Sequence, residues 1–220
     1  MTDLRLTDFT GAGDGTSHKH LNYETKLIAV DHKVLGLGIA QAPNHTSEEQ
    51  MAGWHNIVAE MYQTYNESPL GKLYPEDPRT FFLKITGMMT DHAADQMKLR
   101  SLFKACKLRM DREVRGERAL LRLEGADLLE AILQLTGEKI EAAGGMAAWD
   151  RLPEAERARI NGSLHAELCQ RYGQEAFDKL TPEEQEDADF FLGGGCCMHK
   201  DLNAHKGEFI CSFSSVLRSD

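Results

Sequence analysis

No stretch of this 220-residue sequence approaches the run of about 18 apolar residues that a membrane-spanning helix needs. The opening Met1-Thr2-Asp3-Leu4-Arg5 lacks the charged and apolar regions of a signal peptide. The expectation is a nuclear or cytoplasmic chain, not secreted and with no membrane partner. Basic charge is scarce, 25 Lys and Arg against 35 Asp and Glu, a net charge of −10. Free-standing DNA-binding domains are usually basic because counterion release from phosphates drives their affinity, so the chain as a whole is not such a domain. The five cysteines are an odd count in an unsecreted chain, which argues against a disulfide framework. Paired CxxC half-sites are absent, and no internal repeat or low-complexity tract interrupts the sequence.

What is present suits a soluble domain with a sizeable insertion: 41% hydrophobic and 27% charged residues. Leu27 to Val30 and Val34 to Ile39 are short apolar runs separated by Asp31-His32-Lys33, and they predict two strands around a turn. Leu4 to Phe9 alternates apolar and polar residues and predicts a preceding strand, broken by Gly11-Ala12-Gly13-Asp14-Gly15. Thr46-Ser47-Glu48-Glu49 predicts a helix start, with Trp54, Ile57, Val58, Met61 and Tyr65 following at helical spacing. The end of Phe81 to Met89 reads as a buried strand, with helix as the alternative.

From about Ala93 to Asp187 the pattern is helical almost throughout. Leu99, Leu102, Phe103 and Cys106 share one face, and Leu120, Leu121, Leu128, Ile132 and Leu135 another. Gly144-Gly145 and Asn161-Gly162 predict breaks, and Thr181-Pro182-Glu183-Glu184 a capped helix start. Phe190-Phe191-Leu192 then reads as a buried strand running into the loop Gly193-Gly194-Gly195. Three strands, a helix and a fourth strand predict an α/β chain with an RNase-H-like mixed sheet, interrupted by a large all-helical insertion. The expected division is a core of residues 1–97 and 188–220 with the insertion at 98–187.

Asp14 and Asp91 each fall at an expected strand end. Carboxylates from neighbouring strands can converge, and hard oxygen ligands suit Mg²⁺ or Mn²⁺ held together with substrate phosphate. Such metals activate water and stabilise the leaving oxygen in phosphodiester chemistry. Each aspartate also has a plain reading: Asp14 as a turn residue between glycines, Asp91 as the cap of the following helix. Asp95, four residues on, is a possible helper or a solvated helix carboxylate. Cys196-Cys197-Met198-His199 with His205 and Cys211 holds the ingredients of a zinc site, but the loose spacing and adjacent cysteines argue against zinc. From Lys98 to Arg122 nine Lys or Arg face three acids. Within that run Lys98, Arg100, Lys104 and Lys107 are candidates for contact with a phosphate backbone, or members of a solvated helix face.

Asp14-Gly15-Thr16-Ser17 followed by Asn22-Tyr23, then Thr90-Asp91-His92-Ala93-Ala94-Asp95-Gln96, then Cys196-Cys197-Met198-His199 followed by Leu202-Asn203, resemble in order the motif blocks of hAT-type DDE transposases. The whole chain is similar to transposase-like open reading frames of mushroom-forming fungi. The resemblance implies an RNase-H-like catalytic core with Asp14 and Asp91 as catalytic metal ligands, and Cys196 and His199 as the matching positions of a structural Cys-x-x-His element. It further implies transposon-end DNA as substrate, Mg²⁺ or Mn²⁺ as cofactor, and homo-oligomeric assembly. The sequence departs from that family in two ways. Here 104 residues separate Asp91 from Cys196, whereas the family keeps these elements close. The family's third carboxylate, a helical glutamate, has no evident counterpart before Asp220. The expectation is therefore a partial core, truncated at its carboxyl end and inactive alone, with a non-catalytic transposon-derived module as the alternative.

Overall fold

Two residues with left-handed backbones, Asp31 (φ 46°) and His32 (φ 62°), close a two-residue turn. A two-residue loop with positive φ at both positions matches the right-handed twist of the strands it joins, and asparagine, aspartate and histidine tolerate that region best among side-chain-bearing residues. The strands are β2 (Leu21–Val30) and β3 (Lys33–Gln41), so Lys33 belongs to a strand rather than to the turn. The computed structural model describes residues 8–18, 21–41, 46–90 and 93–195, with the backbone alone at 14–18, 21 and 22.

Of the strand expected at Leu4 to Phe9, residues 4–7 lie outside the described residues; β1 (Phe9–His18) runs straight through Gly11, Gly13 and Gly15, where a break was expected. Glycine weakens a strand in isolation, but here β2 pairs with the backbone from Thr10 to His18 and β4 from Phe9 to Ala12. β1 pairs antiparallel with β2, from Thr10–Ala29 to His18–Leu21, and parallel with β4 (Ile85–Thr90). Gly11 meets the requirement for a missing side chain directly, since a Cβ there would lie 2.7 Å from Met88 Sδ.

The remaining elements are α1 (Ser47–Glu67), α2 (Pro69–Leu73), α3 (Arg79–Lys84), α4 (Ala94–Leu120), α5 (Gly125–Ala142), α6 (Met146–Trp149), α7 (Glu154–Asp178), α8 (Pro182–Asp189) and β5 (Leu192–Gly195). β5 pairs parallel with β4, which completes a mixed five-stranded sheet of order β3-β2-β1-β4-β5. The chain is thus an α/β protein whose sheet is completed after a large helical region. The glycines expected to form a loop after Leu192 are themselves the strand, and Leu192 is exposed rather than buried. Among the described residues no helix is long and apolar enough to cross a membrane.

The chain divides into two units, Met1–Cys106 with Phe191–Asp220, and Lys107–Phe190. The first has an aromatic core. Trp54 of α1 is fully buried, edge-on to Phe103 of α4 at 5.3 Å and 6.1 Å from Phe81, which in turn lies 4.6 Å from Phe9 of β1. Thr46 caps α1 by accepting a hydrogen bond from the Glu49 amide. The run Phe81 to Met89 is divided: α3 takes Phe81 and Phe82 into the core, and Ile85 begins β4.

The second unit is all-helical, around Leu120, Leu135, Leu168 and Cys169. α4 and α7 touch through backbone: a Cβ on Gly116 would lie 1.7 Å from the Cys169 carbonyl, and one on Gly173 1.7 Å from that of Arg112. α7 runs unbroken through Asn161-Gly162, where a break was expected, because its neighbours on both sides supply helical residues enough to carry one glycine. Leu121 and Ile132, expected in the core stripe, instead border an apolar groove of about 560 Å³ beside Leu128 and Leu164. α8 begins with a full capping box: the Thr181 hydroxyl accepts from the Glu184 amide, and the Glu184 carboxylate accepts from the Thr181 amide.

Two expected outcomes follow from this packing. Gly116→Ala and Gly173→Ala each lower stability by about 2–3 kcal/mol through overpacking. Gly137→Ala and Gly162→Ala, helical glycines with open space around them, raise it by about 0.5–1 kcal/mol. Urea unfolding of the four variants measures the contrast. Burial, helped by Glu76 and Asp77, pushes the Tyr62 hydroxyl up to about 12. Its unfolded value is about 10, so neutral Tyr62 contributes stability that is complete below about pH 10 and lost as pH rises toward 12. Denaturation midpoints taken across that window fall in the wild type and fall less in Tyr62→Phe.

Candidate functional site

The parallel pairing of β1, β4 and β5 sends the carboxyl ends of three neighbouring strands to one edge of the sheet. In open α/β sheets this is the edge where strand ends and following loops deliver polar side chains. Asp14 lies inside β1, opposite Thr25 of β2, and not after the strand as the sequence suggested. The reason is the antiparallel pairing with β2, which carries β1 on through Gly13 and Gly15. Asp91 immediately follows Thr90, the last residue of β4, and lies outside the described residues. Counting forward from the partners Ala12 and Met89, Asp14 and Asp91 are each two residues further along the sequence. Cys196 immediately follows Gly195, the last residue of β5; it and His199 lie outside the described residues, as do Cys197, His205 and Cys211. Asp95 sits in the first turn of α4, where its backbone carbonyl accepts a hydrogen bond from Ser47 Oγ at 2.7 Å.

No family model matches this chain, and no characterised protein or solved structure matches it significantly.

The four basic candidates all lie on α4 without forming one exposed stripe. Lys98 is exposed and ion-paired to Glu48, whose carboxyl is held below its usual range by that hydrogen bond. Arg100 donates to the carbonyl of Gly194 at 3.2 Å and so braces β5 from the side. Lys104 is exposed, and Lys107 is buried. Further along, Arg112 is buried with its guanidinium carbon 3.4 Å from the centre of the Phe177 ring, and it bonds Asp189 at 2.7 Å and Asp111 at 2.9 Å. Much of the basic run therefore serves packing.

The polar feature that sequence reading missed is on β2. Glu24 and Lys26 are both buried, and their side chains meet at 2.6 Å. Residues two apart in a strand share a face, and here that face meets α1. A Cβ on Gly53 would come 3.0 Å from Lys26 Nζ, so Gly53 makes room for the ammonium, which also lies 5.9 Å from the Trp54 ring centre. The detectable signal was two opposite charges at the same parity as buried Ile28. Glu24 Oε1 has no hydrogen-bond partner. Glu24 pairs across the sheet with Gly15, and Asp14 with Thr25, so the two acids are not cross-strand partners. Cys106 and Cys169 are buried thiols outside any disulfide; Cys106 Sγ lies 3.7 Å from His55 Nε2, with the His55 ring tilted against Phe82 at 4.5 Å.

Removing half of a buried ion pair leaves an uncompensated charge, whereas removing both halves relieves two desolvation penalties. Lys26→Met is expected to cost about 3–5 kcal/mol, and Glu24→Leu/Lys26→Met together far less. Chemical denaturation of the two variants beside wild type measures the difference.

Proposed function

We propose that this chain carries an RNase-H-like catalytic core of the DDE-transposase type, with Asp14 and Asp91 as its metal-binding carboxylates. The observation that carries this reading is the register of β1 against β4. Asp14 lies two residues past Ala12, the β1 partner of Met89, and Asp91 follows Met89 by two residues in the sequence, a spacing that suits two carboxylates sharing one ion. The strand order is also the one this reading requires: three antiparallel strands in succession, then two further strands parallel to the first on its other side.

The donor set fits a hard divalent cation. Two carboxylates suit Mg²⁺ or Mn²⁺, which keep several waters and accept phosphate oxygens. When bound, such an ion supplies Lewis-acid stabilisation of a phosphodiester and lowers the pKa of an attacking water. The protein's own part in this reading is to fix the backbone of Asp14 within β1 by pairing with β2, and to start the segment of Asp91 from β4. The substrate of this reading is transposon-end DNA, cleaved and then joined by its 3′ hydroxyl.

A second reading, a non-catalytic transposon-derived module, is favoured by one specific observation. Arg100 is engaged with β5 and Lys107 is buried, so the basic run offers phosphates less than its sequence suggests.

Isothermal titration of Mn²⁺ into the wild-type chain and into Asp14→Asn/Asp91→Asn tests the first reading. Binding in the wild type that disappears in the double variant is the expected outcome. No binding in the wild type, or binding that survives both substitutions, overturns the metal-dependent reading and leaves the non-catalytic one.

A further inference from the structure

β3 ends the sheet on one side, so among the described residues its outer edge carries main-chain N–H and C=O groups that no strand pairs. Proteins usually blunt such an edge with charge, proline or a bulge. Lys33 is the one charged residue of β3, and the strand has no proline. It does have a bulge: Lys26 pairs with Gly38 and Leu27 with Gly36, which leaves Leu37 without a partner on β2. The bulge works against two copies of β3 running along each other in one register. It leaves residues 38–41 as a short regular edge, each paired with β2 on the inner side.

Between that edge and α1 lies a cleft of about 840 Å³, a size typical of ligand pockets. Leu37 at the bulge and Ile57 and Met61 of α1 give it apolar walls, and Gly38 and Gly53 keep side chains out of it. Lys26 also lines it, although its side chain is only 3% exposed. An ammonium has three N–H donors, and among the described residues only Glu24 accepts from this one, at 2.6 Å. Buried donors without acceptors cost free energy, so an acceptor is missing at Lys26. Glu24 already balances the charge, and Glu60 adds a second carboxylate to the lining. The acceptor that fits is therefore uncharged, because a further carboxylate would meet two others. An open strand edge beside a walled cleft is the layout of strand addition, in which main-chain bonds give affinity and the cleft reads a side chain. We infer that this cleft receives an extended peptide, which pairs with residues 38–41 as an added strand and sends a carboxamide side chain, glutamine or asparagine, to Lys26. The inference stands independently of the metal reading.

Fluorescence anisotropy on the full chain tests it. The probe is a labelled, lysine-flanked peptide in which valine and threonine alternate and glutamine takes the central valine position. Saturable binding is expected, weakened about tenfold or more when glutamate or valine replaces that glutamine, the cost of a lost hydrogen bond to a charged group. Ala40 is exposed and lines the cleft, so Ala40→Phe plugs it and abolishes binding. Val34→Phe, on the other face of the same strand, preserves binding. Absent binding in the wild type, or equal affinity for the three peptides, overturns the inference whether or not any variant folds. So does undiminished binding by Ala40→Phe, or displacement of the probe by free glutamine, which assigns the cleft to a small carboxamide. Affinity that falls as protein concentration rises also overturns it, and assigns the edge to a second copy.

Discussion

The central strand carries the constraint on which the first unit depends. β1 must hydrogen-bond on both edges, antiparallel to β2 and parallel to β4. It must also let the Met88 side chain pass where a Cβ of Gly11 would be. A strand with larger side chains at its odd positions would push β4 away from the aromatic core. Moving β4 would displace Ile85 and Met88, both fully buried, and the helix–strand corner at Lys84–Ile85 that brings Phe81 and Phe82 against Trp54. The parallel strand ends, and whatever chemistry follows them, are a consequence of this one fit.

The Glu24–Lys26 pair belongs to the same layer and shows a different economy. A buried ion pair is weak as a source of stability because desolvation offsets most of its attraction. Its effect here is on register. Slipping β2 by one residue would turn both charges out of their shared space beside Gly53 and set Thr25 and Leu27 in their place. The helix opposite offers a glycine and an aromatic ring at that point, which match an ammonium and not a branched apolar side chain. In the second unit the same sort of reassignment happens to Arg112, whose guanidinium lies flat on Phe177 between two aspartates.

The α/β class, the mixed sheet and the starts of α1, α4 and α8 were legible because they rest on local signals: the apolar run Leu27 to Val30, the Thr46 cap, the capping box at Thr181. The errors share a cause. Glycine was read as a breaker at Gly11–Gly15 and at Gly193–Gly195, yet each stretch is a strand because of partners distant in sequence that no local window contains; at Gly162 the helical residues on either side carried α7 through. That Asp14 lies within β1, two residues past the partner of Met89, was visible only once the β1–β4 register was known. The buried charges at Glu24 and Lys26, and the engagement of Arg100 with β5, were hidden because a charged residue in sequence reads as exposed. Only the packing of α1 or of β5 shows otherwise.

The order in which these strands meet has a kinetic consequence. β1, β2 and β3 are consecutive and joined by short connections, so their contacts can form on the timescale of hairpins. β5 must find β4 across roughly 100 intervening residues, and closing so long a flexible loop costs on the order of 4 kcal/mol in chain entropy alone. The four-residue β5, three of whose residues are glycine, has little side-chain contact with which to offset that cost. If the intervening helices had to stay unfolded until then, the last strand would be the slowest to arrive. A helical unit that collapses on its own core shortens the effective loop, so the sheet's final pairing becomes a late docking step whose speed is set by how quickly α4 to α8 condense.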